Sequence, residues 1–279
     1  MKLKIYKALW GMKGSIEDQL KQIAEAGYDG VESRVPKNLG QFKKLLSECH
    51  LNYIPMIFTI GPNHAASFDA QLKEAIKFDP PLVVSHSAKD AMTFDEQALF
   101  FESALKSEKK YGVPVAHETH RGRAMYAPWI TANLLKRFQN LKINADFSHW
   151  CCVCESLLDD QKDAVQLACE RAIHIHGRVG YEEGPQVPDP RAPEYERYVQ
   201  KHESWWDAIF KHQKKMGKSF ATFTPEFGPP NYMHTLPYTK QPVADLWEIC
   251  MWMAERTKKR LQSGNFRLNR QFLRSISGD

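Results

Sequence analysis

Residues 114–123 read PVAHETHRGR: an apolar approach, two histidines flanking a glutamate, then two arginines. Carboxylates and imidazoles are the groups that hold divalent cations and move protons, but one polar strand end is ordinary, because strands run out into water. The chain repeats the pattern. Glu118 stands in HETH, Asp146 in ADFSHW, His174 and His176 in HIHG, and Glu226 in TPEFGP. Residues two apart in a strand share a side, so His174 goes with His176, and Ala116 with Glu118 and His120. Bare carboxylates gathered in a low-dielectric pocket repel one another, and a divalent cation removes that cost. Two glutamates, an aspartate and one imidazole make an oxygen-rich set. It suits Mn²⁺ first, then Mg²⁺, with Zn²⁺, Co²⁺ and Fe²⁺ open because affinity alone does not select the metal.

Such a convergence needs strands that all point the same way. Eight short apolar segments qualify, at 3–9, 29–33, 52–58, 82–87, 113–119, 142–148, 172–177 and 219–227. Helical patterning lies between them: Ser15 caps a helix ending at Gly27, and Asn38 or Gly40 opens another through Cys49. Further helices are expected near 67–77, 95–111, 128–138, 155–170, 203–216 and 241–262. Eight strand–helix units imply right-handed crossovers and a parallel sheet, at the size of an α/β (β/α)8 TIM barrel of ~250 residues. A doubly wound sheet would carry a glycine-rich phosphate turn after an early strand, and WGMKGS is not that turn. One barrel domain is expected over 1–265, with long loops at 178–203 and 227–241 as lid or substrate wall, and a basic C-terminal tail at 266–279.

Composition agrees with one large core: 279 residues, 43% hydrophobic and 25% charged. The N-terminus, MKLKIYKALWGMKGS, lacks the apolar run of a secretory signal, and no segment approaches the ~20 apolar residues of a membrane span. Six irregularly spaced cysteines read as free thiols, so a cytoplasmic location is expected, with the CCVC run at 151–154 packing at a helix start. A net charge of +5 is a weak basic excess and argues against a nucleic-acid partner. In a barrel the strand C-terminal ends form the active face. Trp10, Glu32, His86, His120, Arg121, Trp150 and Arg178 all fall at or just after predicted strand ends, where a substrate's hydroxyls would be held. The tryptophans Trp205 and Trp206 are expected to pack on the barrel exterior.

With these motifs in place the chain resembles the xylose isomerase-like barrel superfamily, which includes sugar isomerases, ketose 3-epimerases, inosose dehydratases and metal-dependent apurinic endonucleases. AEAGYDGVES looks like that family's second-strand entry, and HETH, ADFSHW, HIHG and TPEFGP stand where it carries Glu, Asp-x-x-His, His and Glu. The resemblance covers nearly the whole chain and implies Glu118, Asp146, His176 and Glu226 as metal ligands, with His149 near the substrate oxygens. Arg178 is placed to contact substrate, although epimerase-like members carry their arginine further beyond the histidine.

The chemistry implied is isomerisation or epimerisation of a keto sugar or aldose. A metal polarises the carbonyl, and Glu118 and Glu226 remove and return a proton through an enediolate. A dehydratase of an inosose-like keto polyol would use the same groups and expel hydroxide. An apurinic endonuclease is disfavoured because the third-strand end, FTIGP, has no histidine and the segment HGRVGYEEG lacks the extra Asp-x-His pair. A non-catalytic sugar-binding barrel is the remaining alternative. The expected partner is a small sugar or polyol, with Trp247, Trp252 and the tail open to a homo-oligomer contact or to packing on the barrel.

Overall fold

All eight apolar segments form strands in the computed structural model, which describes residues 1–262; the basic tail expected at 266–279 lies outside the described residues. The strands are β1 (Lys2–Ala8), β2 (Gly30–Arg34), β3 (Asn52–Phe58), β4 (Val83–His86), β5 (Val115–Glu118), β6 (Ile143–Ala145), β7 (Ala172–His176) and β8 (Phe220–Thr224). Neighbours pair in parallel, and β8 closes on β1 with Lys2 opposite Phe220, giving a closed eight-stranded barrel. Around it run α1 (Ile16–Glu25), α2 (Leu39–Glu48), α3 (His64–Ala75), α4 (Phe94–Tyr111), α5 (Pro128–Arg137), α6 (Ser148–Cys154), α7 (Lys162–Arg171), α8 (Glu196–Lys215) and α9 (Leu246–Gln262). The predicted caps form: Ser15 accepts from the Asp18 amide and Asn38 from the Gln41 amide, each satisfying one orphan donor of a first turn.

The two-residue period of the strands sorts their side chains. Tyr6, Ile54, Val84 and Ala116 pack together as one small cluster, the floor inside the barrel. Their neighbours Ile5, Val31 and Tyr53 face outward onto Leu20, Ile23 and Phe42 of α1 and α2. Glycine is required where backbone and ring approach closely: a Cβ on Gly30 would stand 2.6 Å from the Tyr6 ring and 2.4 Å from the Asn52 carbonyl oxygen. Trp205 and Trp206 are buried on the barrel exterior as expected, Trp206 lying edge-on to Phe223.

Two expectations are corrected. The helix expected at 155–170 starts only at Lys162 and runs as α7, because a separate short helix, α6, precedes that range and is ended by left-handed Glu155, and Leu158 turns left-handed again before α7 begins. The loop expected over 178–203 stops short: Pro193 opens a 3₁₀ turn that runs into α8, since proline lacks only an N–H that a first helical turn leaves unpaired. All six cysteines are free. No described helix is long and apolar enough to cross a membrane.

Two side chains hold the long loops. His202 in α8 donates from Nδ1 to the Tyr198 carbonyl (2.9 Å), leaving Nε2 to accept from the Gly180 amide (3.2 Å). Gln186 accepts from the Gly228 amide (2.7 Å) and donates to the Gly228 carbonyl (3.1 Å), stitching the loop after β7 to the loop after β8.

Two stability outcomes are expected from this packing. A Cβ on Gly177 would stand 2.0 Å from the Phe223 ring. Gly177→Ala is therefore expected to lower Tm by roughly 2–10 °C in calorimetry, the effect of overpacking a barrel of this size; an unchanged Tm would mean that Phe223 has room to move. Burial, against a smaller opposing effect of the Tyr198 carbonyl, pushes the His202 imidazole down to about 4. The unfolded chain protonates it near the ordinary ~6.5, so the stability it contributes is complete above that pH and drains away as pH falls toward 4, by on the order of 3 kcal/mol. Melting curves across that window should fall less steeply for His202→Gln than for the parent protein, and parallel curves would refute the assignment.

Candidate active site

Glu118 ends β5, His176 ends β7, Asp146 follows β6 by one residue and Glu226 follows β8 by two. All four are buried, and one donor atom from each lies within 4.8 Å of the others. His176 orients the group. Its Nε2 is 2.8 Å from Glu32 Oε1, and a carboxylate only accepts, so Nε2 carries the proton and Nδ1 turns into the cluster. There Nδ1 lies 2.7 Å from Glu226 Oε2 and 3.6 Å from Glu118 Oε2. Despite the short distance these atoms are not in hydrogen-bond geometry: His176 Nδ1, Glu118 Oε2 and Glu226 Oε2 are buried and have no hydrogen-bond partner. Lone pairs facing one another at that separation, with no donor between them, are the arrangement a divalent ion resolves.

Glu32 lies one layer deeper. Its carboxylate accepts from His176, His174 Nε2 (3.2 Å) and the Thr224 hydroxyl (2.5 Å), so Glu32 is satisfied within the protein. His174 is anchored on its other nitrogen by Thr222 (2.7 Å), which leaves His176 as the histidine that faces the cluster.

Arg178, just past β7, is fully buried between two of the carboxylates. Its Nε donates to Asp146 Oδ2 (3.1 Å) and its terminal nitrogen lies 2.8 Å from Glu226 Oε2. The Ser148 hydroxyl and amide hold the other Asp146 oxygen. The charges decide who carries protons. Burial raises Glu118, but His86 and His176 outweigh it and hold this carboxylate well below the ordinary range. Glu226 is likewise lowered, against burial, by Arg178 and His176. Asp146 goes the other way, to about 6, because burial outweighs Arg178 and the two glutamates add to it. Burial drives His149 well below the ordinary histidine value and His120 down to about 4, so both imidazoles are neutral near pH 7.

The other predicted contacts gather around this cluster with two exceptions. His86 ends β4 with Nε2 2.7 Å from Glu118 Oε2. His120 lies between the His86 and His149 rings, at centroid distances of 4.7 and 3.9 Å. His149 is fully buried, both ring nitrogens are without partners, and Nε2 is 3.6 Å from Asp146 Oδ2. Trp10 and Arg121 lie at the rim. Glu32 is the first exception, lodged beneath the cluster. Trp150 is the second: it is buried in the core, stacked on Phe147 and donating to the Met125 carbonyl.

Tyr232, in the loop after β8, is signalled by no motif. Its ring lies 4.5 Å from the Arg178 guanidinium and 5.4 Å from that of Arg121, edge-on to Trp10, with its hydroxyl 3.4 Å from His120 Nε2. Gln186, whose side-chain oxygen is 3.4 Å from Arg178, is equally unannounced in the sequence. Only the length of the two loops hints at either residue.

No protein-family model and no curated protein matches the chain. Solved structures do. A D-allulose 3-epimerase from Methylomonas sp., in complex with D-allulose, superposes with a TM-score of 0.60 at 15% identity, covering 93% of this chain and 97% of that one. A probable 3-DHS dehydratase from Bacillus anthracis does so at 0.57 and 14%, covering 93% and 98%. A magnesium complex of a xylose isomerase-like TIM barrel protein from Mycobacterium smegmatis gives 0.62 at 12%, covering 94% and 97%. Likeness at 12–15% identity is likeness of fold, and the fold this chain shares with them is the closed (β/α)8 barrel.

Proposed function

We propose that the chain is a divalent-metal-dependent sugar isomerase or epimerase that moves a proton at the carbon next to the carbonyl of a keto sugar or aldose. The observation that carries this reading is the set of buried, unpartnered atoms of Glu118, Glu226 and His176 facing one another beside Asp146. These four side chains would hold the ion, and their oxygen-rich character favours Mn²⁺ or Mg²⁺. When bound, the ion supplies polarisation of the substrate carbonyl and stabilisation of the charge that develops on it.

The protein's own groups supply the proton chemistry. Glu118 and Glu226 are both held ionised, on β5 and after β8, so either can remove the proton as a base and, now protonated, return it to the neighbouring carbon; return from the opposite face would need the second glutamate to take up a proton from solvent first. Arg178 fixes Glu226 and Asp146 and presents its guanidinium toward substrate oxygens beneath Tyr232 and Trp10. The neutral imidazole of His149, with both nitrogens unpartnered, is free to hydrogen-bond hydroxyl groups, while that of His120 is already engaged by the Arg121 carbonyl and the Tyr232 hydroxyl. The epimerase among the structural neighbours supports a sugar substrate. The dehydratase neighbour supports a second reading, in which the same base removes the proton and a hydroxyl leaves.

Elemental analysis of the purified protein is expected to give close to one Mn²⁺ or Mg²⁺ per chain, lost in Glu226→Gln. Incubating the loaded protein with a ketose panel in D₂O should place deuterium on the carbon beside the carbonyl. Loss of water from the substrate would move the assignment to a dehydratase, and no metal after supplementation would refute both readings. Glu32 never touches the ion in this scheme but sets the His176 tautomer, so Glu32→Gln should weaken metal binding by the folded protein about 10–100-fold.

A further inference from the structure

The cluster fills the β5–β8 side of the barrel mouth. On the side of β2 to β4 lie two arginines, Arg34 and Arg123. Arg34, the last residue of β2, is exposed, and its guanidinium lies 4.0 Å from the centre of the Phe58 ring. Phe58 in turn stacks on the His86 ring at 4.2 Å, and His86 touches Glu118. Arg34 therefore stands two stacked layers away from a proposed catalytic carboxylate. Arg123, after β5, is half-buried and pinned by donating to the Thr59 (3.1 Å) and Ala88 (3.3 Å) carbonyls. Thr59 directly follows Phe58, so Arg34 and Arg123 rest on adjacent residues at the end of β3. Burial lowers the Arg123 pKa, Glu118 opposes the shift and Arg34 adds to it.

These two arginines differ from the ion-paired ones. Arg178, Arg191, Arg256 and Arg260 each pair with a carboxylate within 3.1 Å, whereas neither Arg34 nor Arg123 has a carboxylate at ion-pair distance among the described residues. Two guanidinium groups held near each other, one of them anchored through backbone carbonyls, repel until an anion sits between them. Nothing in the isomerisation chemistry requires that charge. We propose that Arg34 and Arg123 form an anion subsite that takes the phosphate or carboxylate of an acidic keto sugar whose reacting carbon lies at Glu118 and Glu226. The placement of the reacting end rests on the function proposed above; the anion subsite does not. Two arginines on a chain of net charge +5 match one anionic group and not a tracked nucleic-acid backbone.

The subsite can be tested without the metal. Inorganic phosphate titrated calorimetrically into chelator-treated protein should bind saturably, and Arg34→Ala should weaken it by about tenfold or more without changing Tm, since Arg34 is an exposed residue. Arg34→Glu should abolish it. Absence of saturable binding, or equal binding by Arg34→Ala, would overturn the subsite. In a second arm the metal-loaded protein is titrated with a hexulose, its 6-phosphate and a keto-hexonate. Tighter binding of the phosphate identifies a sugar phosphate, and tighter binding of the hexonate a sugar acid. Equal affinity for all three, unchanged in Arg34→Ala, would also overturn it. Metal loss in Glu226→Gln with phosphate binding intact separates the two readings, because failure of the metal assignment then leaves the subsite standing.

Discussion

Everything at the mouth of this barrel is organised by negative charge brought out of water. Glu32, Glu118, Asp146 and Glu226 are all buried, and a group of carboxylates in such a place is tolerated only if cations or hydrogen bonds meet every one of them. Glu32 is met by two histidines and a threonine, and Asp146 by Arg178 and Ser148. Glu118 and Glu226 are met only in part, by imidazole and guanidinium groups at short distance whose geometry leaves one oxygen of each unsatisfied. The deficit is local and specific. It falls at the one point where four strand ends converge, and it can be made good by an ion that brings two charges into a space the size of a single atom.

Precision comes from layering. The floor of Tyr6, Ile54, Val84 and Ala116 sets the barrel's radius, and Glu32 stands directly on that level from β2. The tautomer of His176 is set by Glu32, and the direction of Nδ1 by the tautomer. Above, Gly177 lets β7 run past Phe223 so that Arg178 emerges beneath the loops, where Gln186 and His202 hold the backbone around it. A substitution in the floor or under β7 would act on the chemistry without touching a substrate, by turning one imidazole or one guanidinium.

The strands and the cluster are legible in the sequence because both obey the same two-residue period. A short apolar run ending in His or Glu marks a strand and its polar exit together, and all eight runs become strands. The break between α6 and α7 is not legible, since CCVCESLLDDQK carries no glycine or proline and the stop is made by left-handed Glu155 and Leu158. Tyr232 and Gln186 are hidden for a different reason. Their partners lie far along the chain, Tyr232 meeting His120 and Gln186 meeting Gly228, and nothing in loop composition announces which side chain turns inward. Glu32 is visible as a strand-end acid, but its depth depends on barrel register, with Glu32 level with Ala8 on one side and Ile54 on the other.

The separation of cluster from rim also bears on how one fold serves epimerases and dehydratases. Removing a proton beside a carbonyl requires an ionised base, and Glu118 and Glu226 are both of that kind. The fate of the resulting carbanion equivalent is decided by the group that faces the next hydroxyl. A neutral imidazole there could hold the hydroxyl in place or give it a proton, and His120 and His149, at a ring distance of 3.9 Å, line that wall. In the reading proposed above, the hydroxyl that meets this wall would be chosen by where the rest of the sugar is held, with the proposed Arg34 and Arg123 subsite as the fixed point on the far side. The register of the substrate between two charged ends would then decide between retention and loss, with the cluster itself unchanged.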